Sequence, residues 1–191
     1  AGVHAIGQVA HFDLDNHLTE KQLKNALNFY TDENCKIMSL CRTHDRFDSR
    51  FDAKNRTYKY QIYHGKSILY RNQAWLKNDS IDINILNQLA AYIIGEHDFL
   101  SFSKYNPEIK NTRSHIYYSR WKIEKKMLTY KVCANRFMHH MIRYLVGTMV
   151  AASEGRFSTK HFKSLLHEPQ KNVQIHKAPS CGLQLLDVEY D

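Results

Sequence analysis

Polarity alternates residue by residue along several short runs of this chain, and two of those runs stand only a few residues apart. That pattern restricts the fold more than any other feature. In Thr57–Tyr63 (TYKYQIY), an extended backbone puts Tyr58, Tyr60 and Ile62 on one face and Thr57, Lys59, Gln61 and Tyr63 on the other. His115–Ile123 and Leu128–Ala134 read as two strands of a hairpin turning through Glu124–Met127. Leu183–Tyr190 reads as a closing amphipathic strand, and Lys36–Arg42 (KIMSLCR) as a short strand candidate.

Between these runs the period lengthens to that of a helix. Glu20–Tyr30 sets Leu23, Ala26, Leu27 and Tyr30 on one stripe, opened by a Thr19/Gln22 capping box, with Leu18 placed to staple onto Leu23. A second helix is expected over Ile83–Ile94, with Asp82 as N-cap, Leu86, Leu89, Ala90 and Ile93 inward, and Gly95 as the stop. A long helix, Arg136–Glu154, takes Asn135 as its cap and carries Met138, Met141, Ile142, Leu145, Val146 and Met149 on its apolar side. Thr159–His167 is shorter, with Ser158 as cap and a Phe157/Phe162 staple. Strands in hairpin order, with too few helices for a βαβ array, predict an α+β fold: an antiparallel sheet with helices on one face.

At 191 residues the chain can bury a core without a disulfide or metal staple, and aromatics at 12% argue for a packed one. Lys and Arg number 27 against 19 Asp and Glu, a net charge of +8. A field of that sign attracts polyanions, nucleic acid first, although many ordinary enzymes are also basic. Cys35, Cys41, Cys133 and Cys181 form no CxxC pair and read as reduced thiols. No apolar run approaches the roughly 18 residues of a membrane span, and the opening residues do not read as a signal peptide. The expectation is a soluble, cytoplasmic protein without a membrane partner.

Two stretches could carry chemistry. Arg42–Lys59 (RTHDRFDSRFDAKNRTYK) interleaves cations with aromatic rings, as single-stranded or splayed RNA requires. Asp45, Asp48 and Asp52 dilute that charge, and Phe47 and Phe51 would serve equally as core. On the long helix, His139 and Arg143 are four residues apart and share a face. A cation there implies a buried carboxylate partner, a phosphate contact, a snorkelling stem or simply a surface arginine. Twelve histidines show no HExxH or HxH spacing, so no metal is expected and a histidine- or metal-dependent nuclease is the weaker reading. Phosphate-binding loops and a serine-hydrolase elbow are absent as motifs.

Five blocks, in order, resemble the tRNA pseudouridine synthase A family: AGVHAIGQVAHF (Ala1–Phe12), RFDAKNRTYKY (Arg50–Tyr60), GEHDFLSFS (Gly95–Ser103), NRFMHHMIRYLVGTMV (Asn135–Val150) and APSCGLQLLDVEY (Ala178–Tyr190). They span almost the whole chain. The resemblance implies an isomerase that needs no cofactor and no metal, converting uridine to pseudouridine in the anticodon arm of tRNA, just 3′ of the anticodon. It implies a homodimer and two ferredoxin-like halves joined around a basic cleft. Residues 1–45 would be the remnant of the amino-terminal half, and 46–191 the carboxy-terminal α+β domain. A non-catalytic RNA-binding or dimerisation module of the same fold is the alternative.

Residue by residue, the family's first block reads G-R-T-D-A-G-V-H, and its Asp is the nucleophile. That Asp would precede Ala1, so the resemblance implies that the 191 residues alone are inactive; Asp45, in RTHD, is out of order and is not its substitute. Tyr58 matches the tyrosine that packs on the target uracil, and Arg143 the arginine that pairs with the nucleophile. A bidentate guanidinium favours the ionised carboxylate that attack requires. Leu183 falls where the family sets an apolar side chain beside the uridine. Arg50, Arg56 and Lys59 would flank Tyr58 as phosphate contacts, and His139 and His140 would serve packing or backbone contacts near the site.

Overall fold

The computed structural model describes residues 2–15 and 17–190, in two compact units: Ala1–Gln8 with Ala53–Asp191, and Val9–Asp52. In chain order the elements begin with β1 (His4–Ala5), α1 (Glu20–Tyr30), β2 (Asn55–His64), β3 (Trp75–Lys77) and α2 (Ile83–Tyr92). They continue with β4 (Gly95–Asp98), a single 3-10 turn at Leu100–Phe102, β5 (Arg113–Glu124), β6 (Met127–Ala134), α3 (Met141–Ser153), α4 (Thr159–His167) and β7 (Leu183–Glu189). The fold is α+β, as the alternating runs predict.

The larger unit is built on one open sheet of order β1-β7-β2-β6-β5-β4, with β3 beside β2. Period two decides which side chains meet the helices. Tyr60 and Ile62 of β2, Ile116 and Trp121 of β5, and Leu128, Tyr130 and Val132 of β6 are buried on one face. The apolar stripes of α2, α3 and α4 join them in one core that includes Leu86, Leu89, Met141, Leu145, Phe162 and Leu165. Trp121 and Tyr130, paired in register, stack with ring centroids 4.9 Å apart. The sheet is mixed rather than purely antiparallel: β1 runs parallel to β7 and β3 parallel to β2. Two- and three-residue strands are too short to show a period, so the sequence carries no sign of them.

The long helix starts later than expected. Its first residue is Met141, and His140 precedes it in the left-handed region at φ 65° without a side-chain cap. Asn135 does not cap it, because its side-chain Oδ1 accepts the His115 N–H across the hairpin at 2.9 Å. His139 and Arg143 therefore do not share a helical face. At α2, Gly95 stands at φ 99°, a conformation for which the missing Cβ suits it, and opens β4 directly after the helix.

In the smaller unit α1 has the capping box: Thr19 Oγ accepts the Gln22 N–H, and Gln22 Oε1 accepts the Thr19 N–H. Lys36–Arg42 is not a strand. Its backbone groups are taken instead by side chains on one side of α1. Arg42 N–H donates to Glu20, the Met38 carbonyl accepts from Lys24, and both backbone groups of Ile37 bond to Asn28. An extended segment whose polar groups are met in this way needs no ladder. Tyr30, expected on the apolar stripe, is 86% exposed.

Candidate active site

Tyr58 lies on the helix-side face of β2, opposite Val132 of β6 and Leu185 of β7. The register of β7 against β2 slips between Thr57 and Tyr58, so the ladder is irregular where this ring leaves the strand. The half-buried ring meets Phe137 edge to face, with centroids 5.2 Å apart at 84°. Burial raises the phenol above its ordinary value and the Arg56 charge only partly opposes that, so the hydroxyl keeps its proton at neutral pH. A neutral phenol can stack on a base and donate one hydrogen bond.

Arg143 stands in the first turn of α3 and is fixed by one neighbour, Ala178. Its Nε donates to the Ala178 carbonyl at 2.8 Å, and its own carbonyl accepts the Ala178 N–H at 2.9 Å. The close approach depends on Gly147, one helical turn further along. A Cβ there would stand 2.4 Å from the His176 carbonyl oxygen. With Nε engaged, the two Nη groups make no hydrogen bond or ion pair among the described residues. A half-buried guanidinium with both outer nitrogens open is a fork suited to a carboxylate or a phosphate. Its charge also reaches Tyr60, whose buried hydroxyl donates to the Pro179 carbonyl at 2.8 Å and is held strongly protonated by burial.

Around the head of α3 the charge is positive. His139 and His140 stack with ring centroids 3.9 Å apart, and the His139 carbonyl accepts the Lys104 N–H. Burial, and then the charges of His139, Arg143, Lys177 and Lys104, push the His140 imidazole down to about 4, so it is neutral at physiological pH. Lys177 Nζ lies 5.8 Å from the Tyr144 ring centroid. Phe137, Ala178, Lys104 and Lys177 are neighbours that no local pattern announced. Of these, Phe137 and Ala178 fall inside blocks that the sequence singles out, though nothing there marks them as site residues.

The remaining expected residues divide. Leu183 is 7% exposed and faces the core opposite Tyr60, while Leu185 is the β7 residue opposite Tyr58. Arg56 lies on the Tyr58 side of β2, and its Nη1 donates to the Asn135 carbonyl at 3.2 Å. Lys59 does not flank Tyr58: the alternation of the strand turns it to the opposite face, across from Lys131. Arg50 belongs to the smaller unit, where its N–H bonds the Asp48 carboxylate and its guanidinium lies 5.4 Å from the Phe51 ring centroid. Among the described residues, no three His, Cys, Asp or Glu side chains gather as a metal-holding group. No described helix is long and apolar enough to cross a membrane.

The family model described as tRNA pseudouridine synthase matches residues 89–191. A protein of Ehrlichia chaffeensis named tRNA pseudouridine synthase A is 36% identical over 194 residues, covering 100% of this chain and 79% of its own length. One from Neorickettsia sennetsu with the same name is 33% identical over 196 residues, with 100% and 79% covered. One from Chlorobium chlorochromatii, again so named, is 31% identical over 189 residues, with 99% and 78% covered. The matched residues 89–191 contain Arg143, Ala178 and Leu183.

Proposed function

This chain belongs to the tRNA pseudouridine synthase family, and we propose on that premise that it isomerises uridine to pseudouridine in the anticodon arm of tRNA, just 3′ of the anticodon. The reaction breaks the N1–C1′ bond, turns the detached uracil in place and joins its C5 to C1′; C5 then gives up its proton and N1 takes one up, so the product is an isomer of the substrate. The enzyme must hold a free base without letting it escape and must keep a carboxylate ionised in a half-buried site. Arg143 meets the second demand: its Nε is spent on Ala178, which leaves both Nη groups for a bidentate pair. Tyr58 meets the first, since a neutral ring stacks on either orientation of the base. Leu183 and Leu185 would close the apolar wall, and the target nucleotide leaves its stack at a cost of a few kcal/mol. Arg56, His139, His140 and, from the smaller unit, Arg50 would meet the RNA backbone.

The observation that carries this reading is the Arg143 fork, held at Nε and open at both Nη groups. A homodimer and a cytoplasmic location follow from the resemblance and belong to the same proposal. The experiment is to incubate an unmodified tRNA transcript with the protein, the aspartate expected ahead of Ala1 included, and to map pseudouridine in the product. Pseudouridine confined to the anticodon arm is the expected result. A transcript that stays unmodified would contradict the assignment.

A further inference from the structure

The face of the sheet turned away from the helices carries a pattern that sheets ordinarily avoid. One register row crosses three strands as Lys59 of β2, Lys131 of β6 and Arg120 of β5, each directly opposite the next. Side chains so paired have Cβ atoms about 5 Å apart, and like charges there are destabilising. None of the three makes an ion pair among the described residues. The residue that continues the row on β7 is Gln184, and the next row adds Lys122 opposite Thr129. The acids nearest in register on this face stand one row outside the cationic rows, Asp187 opposite Thr57 and Glu124 opposite Met127. The slip in β5 between Ile116 and Tyr118 adds aromatic surface beside them: Tyr117 and Tyr118 are 53% and 38% exposed.

A chain that sets three cations in register gives up stability unless something outside it supplies the negative charge. We propose that this open face of β2, β6 and β5 is a second RNA-docking surface, on the opposite side of the sheet from Tyr58, where Lys59, Lys131 and Arg120 neutralise consecutive phosphates and Tyr117 and Tyr118 offer rings for stacking. The inference rests on the reading that the partner is tRNA. Charge favours RNA over a second copy of this chain, because a two-fold pairing of this face would bring together two copies of the Lys59, Lys131 and Arg120 row, six cations in all.

The test is Lys131→Glu and, separately, Arg120→Glu in the whole protein, with unmodified tRNA binding measured across a salt series and thermal unfolding measured beside it. The carboxylate introduced at position 131 would stand between Lys59 and Arg120, so cross-strand repulsion becomes attraction and the melting temperature holds or rises. Affinity at ~0.1 M salt falls by about tenfold, and the slope of log K against log salt becomes shallower by about one. Unchanged affinity and slope in both stable variants would overturn the proposal while leaving the functional reading intact. A shift in oligomeric state with RNA binding unaltered would overturn it in favour of a second copy. A wild-type protein that binds no tRNA at all would overturn the functional reading, and this proposal with it. Should Lys131→Glu fail to fold, Lys131→Gln reads the same slope.

Discussion

At the scale of single residues, the site depends on which groups carry charge. The His140 imidazole is pushed down to about 4, first by burial and then by the charges of His139, Arg143, Lys177 and Lys104. The consequence for stability has a definite sign. The unfolded chain takes up a proton on this histidine near its ordinary value of about 6.5, while the folded chain resists until about 4. Acid therefore favours unfolding, and stability falls as the pH drops through that window. Asparagine tolerates the left-handed φ of 65° that residue 140 adopts and does not titrate. His140→Asn should flatten the pH dependence of the melting temperature between pH 4 and 6.5. An unaltered pH profile in that variant, or an NMR titration of His140 centred near its ordinary value, would show that the imidazole is not held neutral by its surroundings.

At the scale of elements, α3 and the segment that crosses it act as one part. Gly147 lets the backbone of His176–Ala178 lie on the helix, and that contact aims Arg143. Gly147→Ala should cost about 1–3 kcal/mol in denaturant unfolding through overpacking, and should lower turnover by moving Ala178 off the guanidinium. A variant of unchanged stability and activity would mean that the crossing is not what sets the arginine. Much of this level was legible in the sequence. Thr19, Asp82 and Ser158 cap the helices expected of them, and β5 and β6 form the expected hairpin, because those signals are local. The start of α3 was not legible, since Asn135 spends its side chain on His115, a residue of another strand. Lys36–Arg42 looked like a strand for a similar reason: nothing within it shows that α1 will occupy its backbone. In the site, Tyr58 and Arg143 could be found because they sit in recognisable blocks. Lys104 and Lys177 reach the head of α3 through the tertiary fold alone.

At the scale of the whole molecule, the chain carries a net charge of +8, and the larger unit gathers cations at two places. One concentration surrounds the head of α3 on the helix side of the sheet, and another crosses the open face through Lys59, Lys131 and Arg120. A polyanion that is bound by such surfaces binds in a salt-dependent way, and Arg56→Ala should weaken tRNA affinity and flatten its salt dependence by about one unit of slope. On the proposed mechanism the chemistry is more localised than the binding, because it rests on one guanidinium, that of Arg143, keeping one carboxylate ionised. Replacing Arg143 by lysine keeps the positive charge but removes the planar fork. The most direct measurement is therefore pseudouridine formation by Arg143→Lys in the protein that includes the expected nucleophile, with tRNA affinity measured on the same preparation. The account predicts turnover reduced by at least about a hundredfold with affinity changed only a few-fold, as expected for an interaction realised in the chemical step. Near-normal turnover would contradict it and would remove Arg143 from the active site.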